Sequence, residues 1–166
     1  MKLLKSLKLA DYFTIGNFVS GILAILFAFE FKLLLASVML IAAFIFDALD
    51  GRVARATKKA NNFGKELDSL ADLTSFGVAP VIFGFAAGLD SIASMVVLVF
   101  FATCGMLRLA RFNVLKVKDF IGLPITTNGL LFPLLYLFLG NFQWYITIVY
   151  LIVGILMISD FKVKKL

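Results

Sequence analysis

Six apolar stretches, at about 12–29, 33–56, 66–87, 91–112, 124–139 and 143–160, alternate with short polar turns along the chain. Each is near the ~20 residues that an α-helix needs to cross a hydrocarbon core of ~30 Å. The pattern predicts an all-α integral membrane protein with six transmembrane helices. Ahead of them, MKLLKSLKLA is basic and amphipathic. It predicts a short helix over 1–10 that lies in the interface with its lysines towards the headgroups. No small-residue cleavage site follows it, as a signal peptide would require. Pro124 marks the entry to the fifth span, and Pro133 inside that span predicts a kink. A length of 166 residues suits one domain over 1–166, with the six-helix bundle at 12–160.

Charge placement orients the bundle. Lys2, Lys5 and Lys8 precede the first span; Arg52, Arg55, Lys58, Lys59 and Lys65 lie between the second and third. Arg108, Arg111, Lys116 and Lys118 lie between the fourth and fifth, and Lys162, Lys164 and Lys165 follow the sixth. Of the 16 basic residues, only Lys32 falls on the other side. This bias predicts that both termini and both basic loops are cytoplasmic. The net charge of +6 is then a topology signal that also attracts anionic headgroups, and nucleic acid is a poor partner for charge tied to membrane edges.

Composition sharpens the picture. The chain is 62% hydrophobic and 16% charged, with a mean hydropathy of +1.04. A water-soluble domain of this size has too little interior to hide so much apolar surface. Cys104 is the only cysteine, so no intrachain disulfide forms. There is no histidine, which excludes an imidazole base, nucleophile or metal ligand.

The candidate chemistry sits in 47-DALDGRVARATKKANNFGKELDSLAD-72. Asp47 and Asp50 are three apart, and Asp68 and Asp72 are four apart, so each pair shares one helix face. Gly51 and Ala54 share the face of the first pair, and Gly64 that of the second. Such small residues leave room for a bulky ligand or for close helix approach. At ~1.5 Å per helical residue, Asp47, Asp72, Asn17 and Arg108 each lie about 20–27 Å from the outer turns. Four spans thus bring polar residues to one layer, just inside the cytoplasmic boundary. A charge taken into the hydrocarbon costs about 2.5–3.5 kcal/mol on insertion scales, and crowded carboxylates repel one another. The alternative, solvated helix ends paired with Arg52, Arg55 and Lys65, suits one aspartate better than four. Four carboxylates without His or Cys favour Mg²⁺, Mn²⁺ or Ca²⁺ over zinc. They are enough for two ions, an arrangement suited to phosphoryl chemistry.

The string Asp47-x-x-Asp50-Gly51-x-x-Ala54-Arg55-x8-Gly64-x3-Asp68-x3-Asp72 resembles the signature of the CDP-alcohol phosphotransferase family, with every fixed position filled. The stretches 66-ELDSLADLTSFGVAP-80, 105-GMLRLARFN-113 and 120-FIGLP-124 resemble the membrane-embedded phosphatidylserine synthases within it. The likeness covers about 44–125 and extends weakly to Thr14-Ile15-Gly16-Asn17. It implies a six-helix membrane fold, a homodimer, and attack by an alcohol on a CDP-activated lipid (CDP-diacylglycerol or CDP-archaeol) with release of CMP. By the same resemblance Asp47, Asp50 and Asp68 hold Mg²⁺ or Mn²⁺ against the diphosphate. Asp72 shares a metal and acts as general base on the hydroxyl of L-serine. Gly51, Ala54 and Gly64 leave space for the cytidine, and Arg55 steadies the nucleotide or braces the aspartates.

The acceptor needs other partners. The carboxylate of serine suits a guanidinium fork, which makes Arg108 and Arg111 candidates, with Lys118 a third; the competing reading is that all three are topology charges. Asn17 and Ser20 either touch the nucleotide or pack helices. Acceptors such as glycerol 3-phosphate or inositol phosphate carry a phosphate and would want a denser basic pocket. A small cation transporter would spread its acidic residues through the membrane thickness, whereas these sit at one end. A structural membrane protein has no use for them.

Overall fold

The computed structural model describes residues 7–57, 62–115, 120–160 and 162–163. The helices are α1 (Leu9–Phe29), α2 (Leu33–Thr57), α3 (Asn62–Asp72), α4 (Ala79–Ala86), α5 (Ile92–Leu115), α6 (Asn128–Leu139) and α7 (Trp144–Ile158). A π-helical segment, Leu73–Val78, joins α3 to α4 in one rod, and a 3₁₀ turn, Ile125–Thr127, leads into α6. The strands are two residues each: β1 (Phe120–Ile121) pairs antiparallel with β2 (Lys162–Val163).

Four helical stretches are long and apolar enough to cross a membrane: Leu9–Phe29, Leu33–Arg55, Phe63–Ala86 and Ile92–Val114. Ile125–Leu139 and Trp144–Ile158 are apolar but shorter. Helices therefore occur at all six expected places, and four of them have full spanning length. The last two are trimmed because Gly140, at φ +73, stops α6 and α7 starts only at Trp144. The expected helix over 1–10 falls mostly outside the described residues. Leu9 and Ala10 already belong to α1, whose entry is fixed by the Lys8 backbone N–H donating to Asp11 Oδ2 at 2.8 Å.

The bundle turns large apolar side chains outward, among them Phe138 and Ile92, both more than 80% exposed. Hydrocarbon offers no hydrophobic drive for helices to associate, so close packing of small residues does that work. Ala24 and Ala28 of α1 and Ala36 and Ala43 of α2 are all buried in the core. The buried line of α1, Asp11, Thr14, Asn17, Ser20, Gly21, Ala24 and Ala28, recurs every three or four residues and turns one face inward. In α7, Tyr150 is fully buried, stacks on Phe132 with centroids 3.8 Å apart, and donates its hydroxyl to Pro80 O at 2.7 Å. Tyr150→Phe is expected to cost about 1 kcal/mol, the net value of that hydrogen bond. Tyr150→Ala is expected to cost about 3–5 kcal/mol through the cavity left behind. Thermal unfolding in detergent measures both.

The π segment has a local cause. Pro80 has no N–H to give the carbonyl of Phe76, and Ala79 N–H reaches back five residues to Thr74 O. Asn128 Nδ2, from α6, donates to Phe76 O at 3.0 Å. A π turn inside a helix often marks a functional position, and this one begins at the residue after Asp72.

Candidate active site

Asp47 and Asp50 project from α2, and Asp68 and Asp72 from α3, into one cavity of about 430 Å³. One carboxylate oxygen from each of Asp47, Asp50 and Asp68 lies within 4.8 Å of the other two. Asp72 stands beside this trio, with its carboxyl in hydrogen-bond range of that of Asp47. α2 and α3 both pack on α1, and Gly51 keeps the cavity wall open: a Cβ there would meet only Arg55, at 3.5 Å.

Each carboxylate pair is held from behind by α1. Thr14 Oγ1 donates to Asp50 Oδ2 at 2.9 Å, and Asn17 Nδ2 donates to Asp72 Oδ1 at 3.1 Å. Asp68 Oδ1 is buried and has no hydrogen-bond partner among the described residues. Two ion pairs among the described residues, Glu30–Lys32 and Arg111–Asp160, involve none of the four. Close, partly buried carboxylates repel one another, a bound cation would offset that repulsion, and an all-oxygen donor set is what a hard divalent ion prefers. The residues present therefore fit such an ion.

The opposite wall comes from α5 and the loop before α6. Arg108, Leu109, Phe112 and Asn113 lie on one face of α5, and Pro124 and Thr126 close the side. Arg108 is within electrostatic reach of Asp72, and its Nε is buried without a hydrogen-bond partner among the described residues. At the rim, Lys65 Nζ donates to Asn113 O at 3.3 Å and sits 5.7 Å above the Phe112 ring, while Asn113 Nδ2 donates to Ser69 Oγ at 2.9 Å.

Of the residues singled out from sequence, Asp47, Asp50, Gly51, Arg55, Asp68, Asp72 and Arg108 line the cavity. Asn17 is buried behind Asp72 and reaches it by its amide. Ser20, Ala54, Gly64 and Arg111 are not among the lining residues. Arg111 is paired with Asp160 at 2.5 Å, and Lys118 lies outside the described residues. Ser69, Phe112, Asn113 and Thr126 were missed. Lys65, Asp68, Ser69 and Asp72 follow the i, i+3, i+4, i+7 spacing of one helix face, which would have flagged Ser69.

Comparison with known proteins agrees with this geometry. The family model for CDP-alcohol phosphatidyltransferase matches residues 7–156. The CDP-diacylglycerol–serine O-phosphatidyltransferase of Methanocaldococcus jannaschii is 42% identical over 165 residues, covering 97% of this chain and 76% of that protein. The archaetidylserine synthase of Methanothermobacter thermautotrophicus is 36% identical over 169 residues, covering 99% and 72%. The CDP-diacylglycerol–serine O-phosphatidyltransferase of Saccharomyces cerevisiae is 40% identical over 144 residues, covering 76% of this chain and 52% of the yeast protein. With its signature aspartates gathered in one cavity and the match running over nearly its whole length, the chain belongs to the CDP-alcohol phosphatidyltransferase family of transferase enzymes.

Proposed function

We propose that this chain transfers the phosphatidyl-type group of a CDP-activated lipid to the hydroxyl of L-serine and releases CMP. The observation that carries the reading is a single cavity with a carboxylate cluster on one wall and Arg108, its Nε unspent, on the other. The names of the relatives, serine O-phosphatidyltransferases and an archaetidylserine synthase, support serine as the acceptor.

Asp47, Asp50 and Asp68 would hold the metal, with Asp72 adjoining, and the carboxylate count suits two ions of Mg²⁺ or Mn²⁺. Bound there, the metal supplies positive charge that offsets the aspartates and the diphosphate. Asp72 Oδ1 is taken by Asn17, so Oδ2 is the oxygen left for the acceptor. It accepts the hydroxyl proton as the serine oxygen attacks the lipid-side phosphorus. The phosphorus–oxygen bond to CMP breaks, and CMP leaves with the electron pair. Arg108 binds the serine carboxylate in a fork. Arg55 and Lys65 sit at the cavity, where a nucleotide phosphate would meet them, and Gly51 leaves its wall open to the cytidine. The six apolar stretches support six membrane spans, the placement of the lysines and arginines supports cytoplasmic termini and a cytoplasmic cavity, and a homodimer is the assembly that the family resemblance implies.

The decisive experiment incubates purified protein with CDP-lipid, Mn²⁺ or Mg²⁺ and a panel of alcohols, and measures CMP. Serine-dependent release is expected; release only with glycerol 3-phosphate or inositol phosphate sinks the serine assignment. Arg108→Ala is expected to raise the serine KM by about 10–100-fold, the worth of a charge-assisted hydrogen bond, with a much smaller change for CDP-lipid. Equal changes in both would move Arg108 to the nucleotide or to the scaffold.

A further inference from the structure

Asp50 and Asp72 each spend one carboxylate oxygen on α1, and the two donors sit on one face of that helix three residues apart. Thr14 Oγ1 lies 3.3 Å from Ala10 O, the back-bond that a helical threonine ordinarily makes, but only 2.9 Å from Asp50 Oδ2. The inter-helix contact is the shorter of the two. Asn17 is fully buried, and its amide matches only half of its capacity: Nδ2 meets Asp72, while Oδ1 has no partner among the described residues. Among the described residues, the hydrogen bond this amide makes is the one to the carboxylate.

The helix is also pinned at the right height. Ser75 Oγ, in the π segment three residues past Asp72, donates to Asn17 O at 3.0 Å. One turn further along α1, Gly21 lets that segment approach; a Cβ there would fall 2.8 Å from the Ser75 Cα. Thr14, Asn17 and Gly21 therefore form a ruler along α1, with Asp50, Asp72 and Ser75 opposite its marks.

We propose that α1 is the positioning element of the reaction centre: Thr14 and Asn17 hold one oxygen each of Asp50 and Asp72 and so decide which oxygen of each faces the substrates. Thr14 acts through the metal-binding trio, and Asn17 acts through the base. The inference rests on the reading of the cavity as a phosphatidyl transfer site. Neither residue touches substrate, and both are positioning residues. Outer-shell donors of this kind are worth 10–100-fold in metal affinity or activity where they have been removed elsewhere.

The test measures Mn²⁺ affinity of the purified protein by the electron paramagnetic resonance of free Mn²⁺, without turnover, and separately kcat and KM from CMP release. Thr14→Val, which keeps the shape and removes the hydroxyl, is expected to weaken Mn²⁺ binding by about tenfold or more, and Thr14→Ser is expected to restore it to within about threefold of wild type. Asn17→Leu is expected to lower kcat by about tenfold or more while the CDP-lipid KM and the Mn²⁺ affinity stay within about threefold. Ser75→Ala removes the hydrogen bond to the Asn17 carbonyl without touching either side-chain donor pair, and controls for loosening of α1. Wild-type Mn²⁺ affinity in Thr14→Val, or equal damage in Thr14→Val and Thr14→Ser, overturns the role of Thr14. A full wild-type kcat in Asn17→Leu, accompanied only by a lower melting temperature, assigns Asn17 to packing and overturns its role. A wild type that releases CMP with some other alcohol and not with serine sinks the acceptor assignment but leaves these comparisons in force.

Discussion

Asp72→Asn is expected to lower CMP release by at least about a hundredfold, the lower range for losing a general base, in a protein that remains folded and still binds CDP-lipid. The amide matches the carboxyl in size, and its oxygen can still accept the Asn17 Nδ2 hydrogen bond seen at 3.1 Å. The side chain therefore keeps its place. What it loses is the capacity to take a proton. Asp72 also stands outside the trio whose oxygens lie within 4.8 Å of one another, so the ion held by that trio is expected to stay bound. Retention of radiolabelled CDP-lipid and CMP release, measured on the same preparation, separate the two steps. A wild-type rate would remove Asp72 from the role of base. Loss of lipid binding together with rate would make it a ligand.

Asp68→Asn is expected to do the reverse: it should abolish Mn²⁺ binding and, with it, CMP release at any practical metal concentration. Asp68 belongs to the trio, and its Oδ1 is buried without a hydrogen bond among the described residues. An amide there retains an oxygen but not the charge that a hard divalent ion requires. The loss in affinity should exceed the roughly 100-fold that outer-shell changes produce. Chelation of the wild type should give the same silence, reversed by added Mn²⁺. Full activity in Asp68→Asn, or activity indifferent to chelation, would show that the aspartates serve something other than a metal. Together the two variants divide one acidic cluster into a holding part and a reacting part.

Much of this arrangement was legible before any coordinates. Runs of apolar residues mark each of the six helical rods, because a chain in hydrocarbon must bury its backbone polarity in helices. The third rod was expected to begin at 66 and begins at Asn62, since the polar turn Asn62–Glu66 carries no hydropathy signal while still continuing the helix. The π segment was invisible for a related reason: hydropathy runs smoothly from Leu73 to Val78, and the break depends on Pro80 and on Asn128, whose amide comes from a distant helix. Charged site residues stood out in an apolar chain. Ser69, Asn113 and Thr126 did not, because neutral polar side chains are common in helices and loops alike. Asn17 stands out as a polar side chain in an apolar span, but its partner lies 55 residues away, and spacing along one helix says nothing about that. Arg111 shows the opposite failing: its charge suggested a ligand, and its neighbour is Asp160.

The π segment between Asp72 and Ala79 acts as a phase shifter within a single rod. Each residue in it turns the helix by less than an α-helical residue would, because its hydrogen bonds reach five residues back. The half before it can therefore aim Asp68 and Asp72 at the cavity, while the half after it aims Phe83 into the core. One uninterrupted α-helix carrying the same side chains would have to misdirect one set or the other. Within 73–78 the number of residues thus matters more than their identity. A change of side chain alters one contact, but a change of length would turn the reacting end of the molecule away from the end that anchors it.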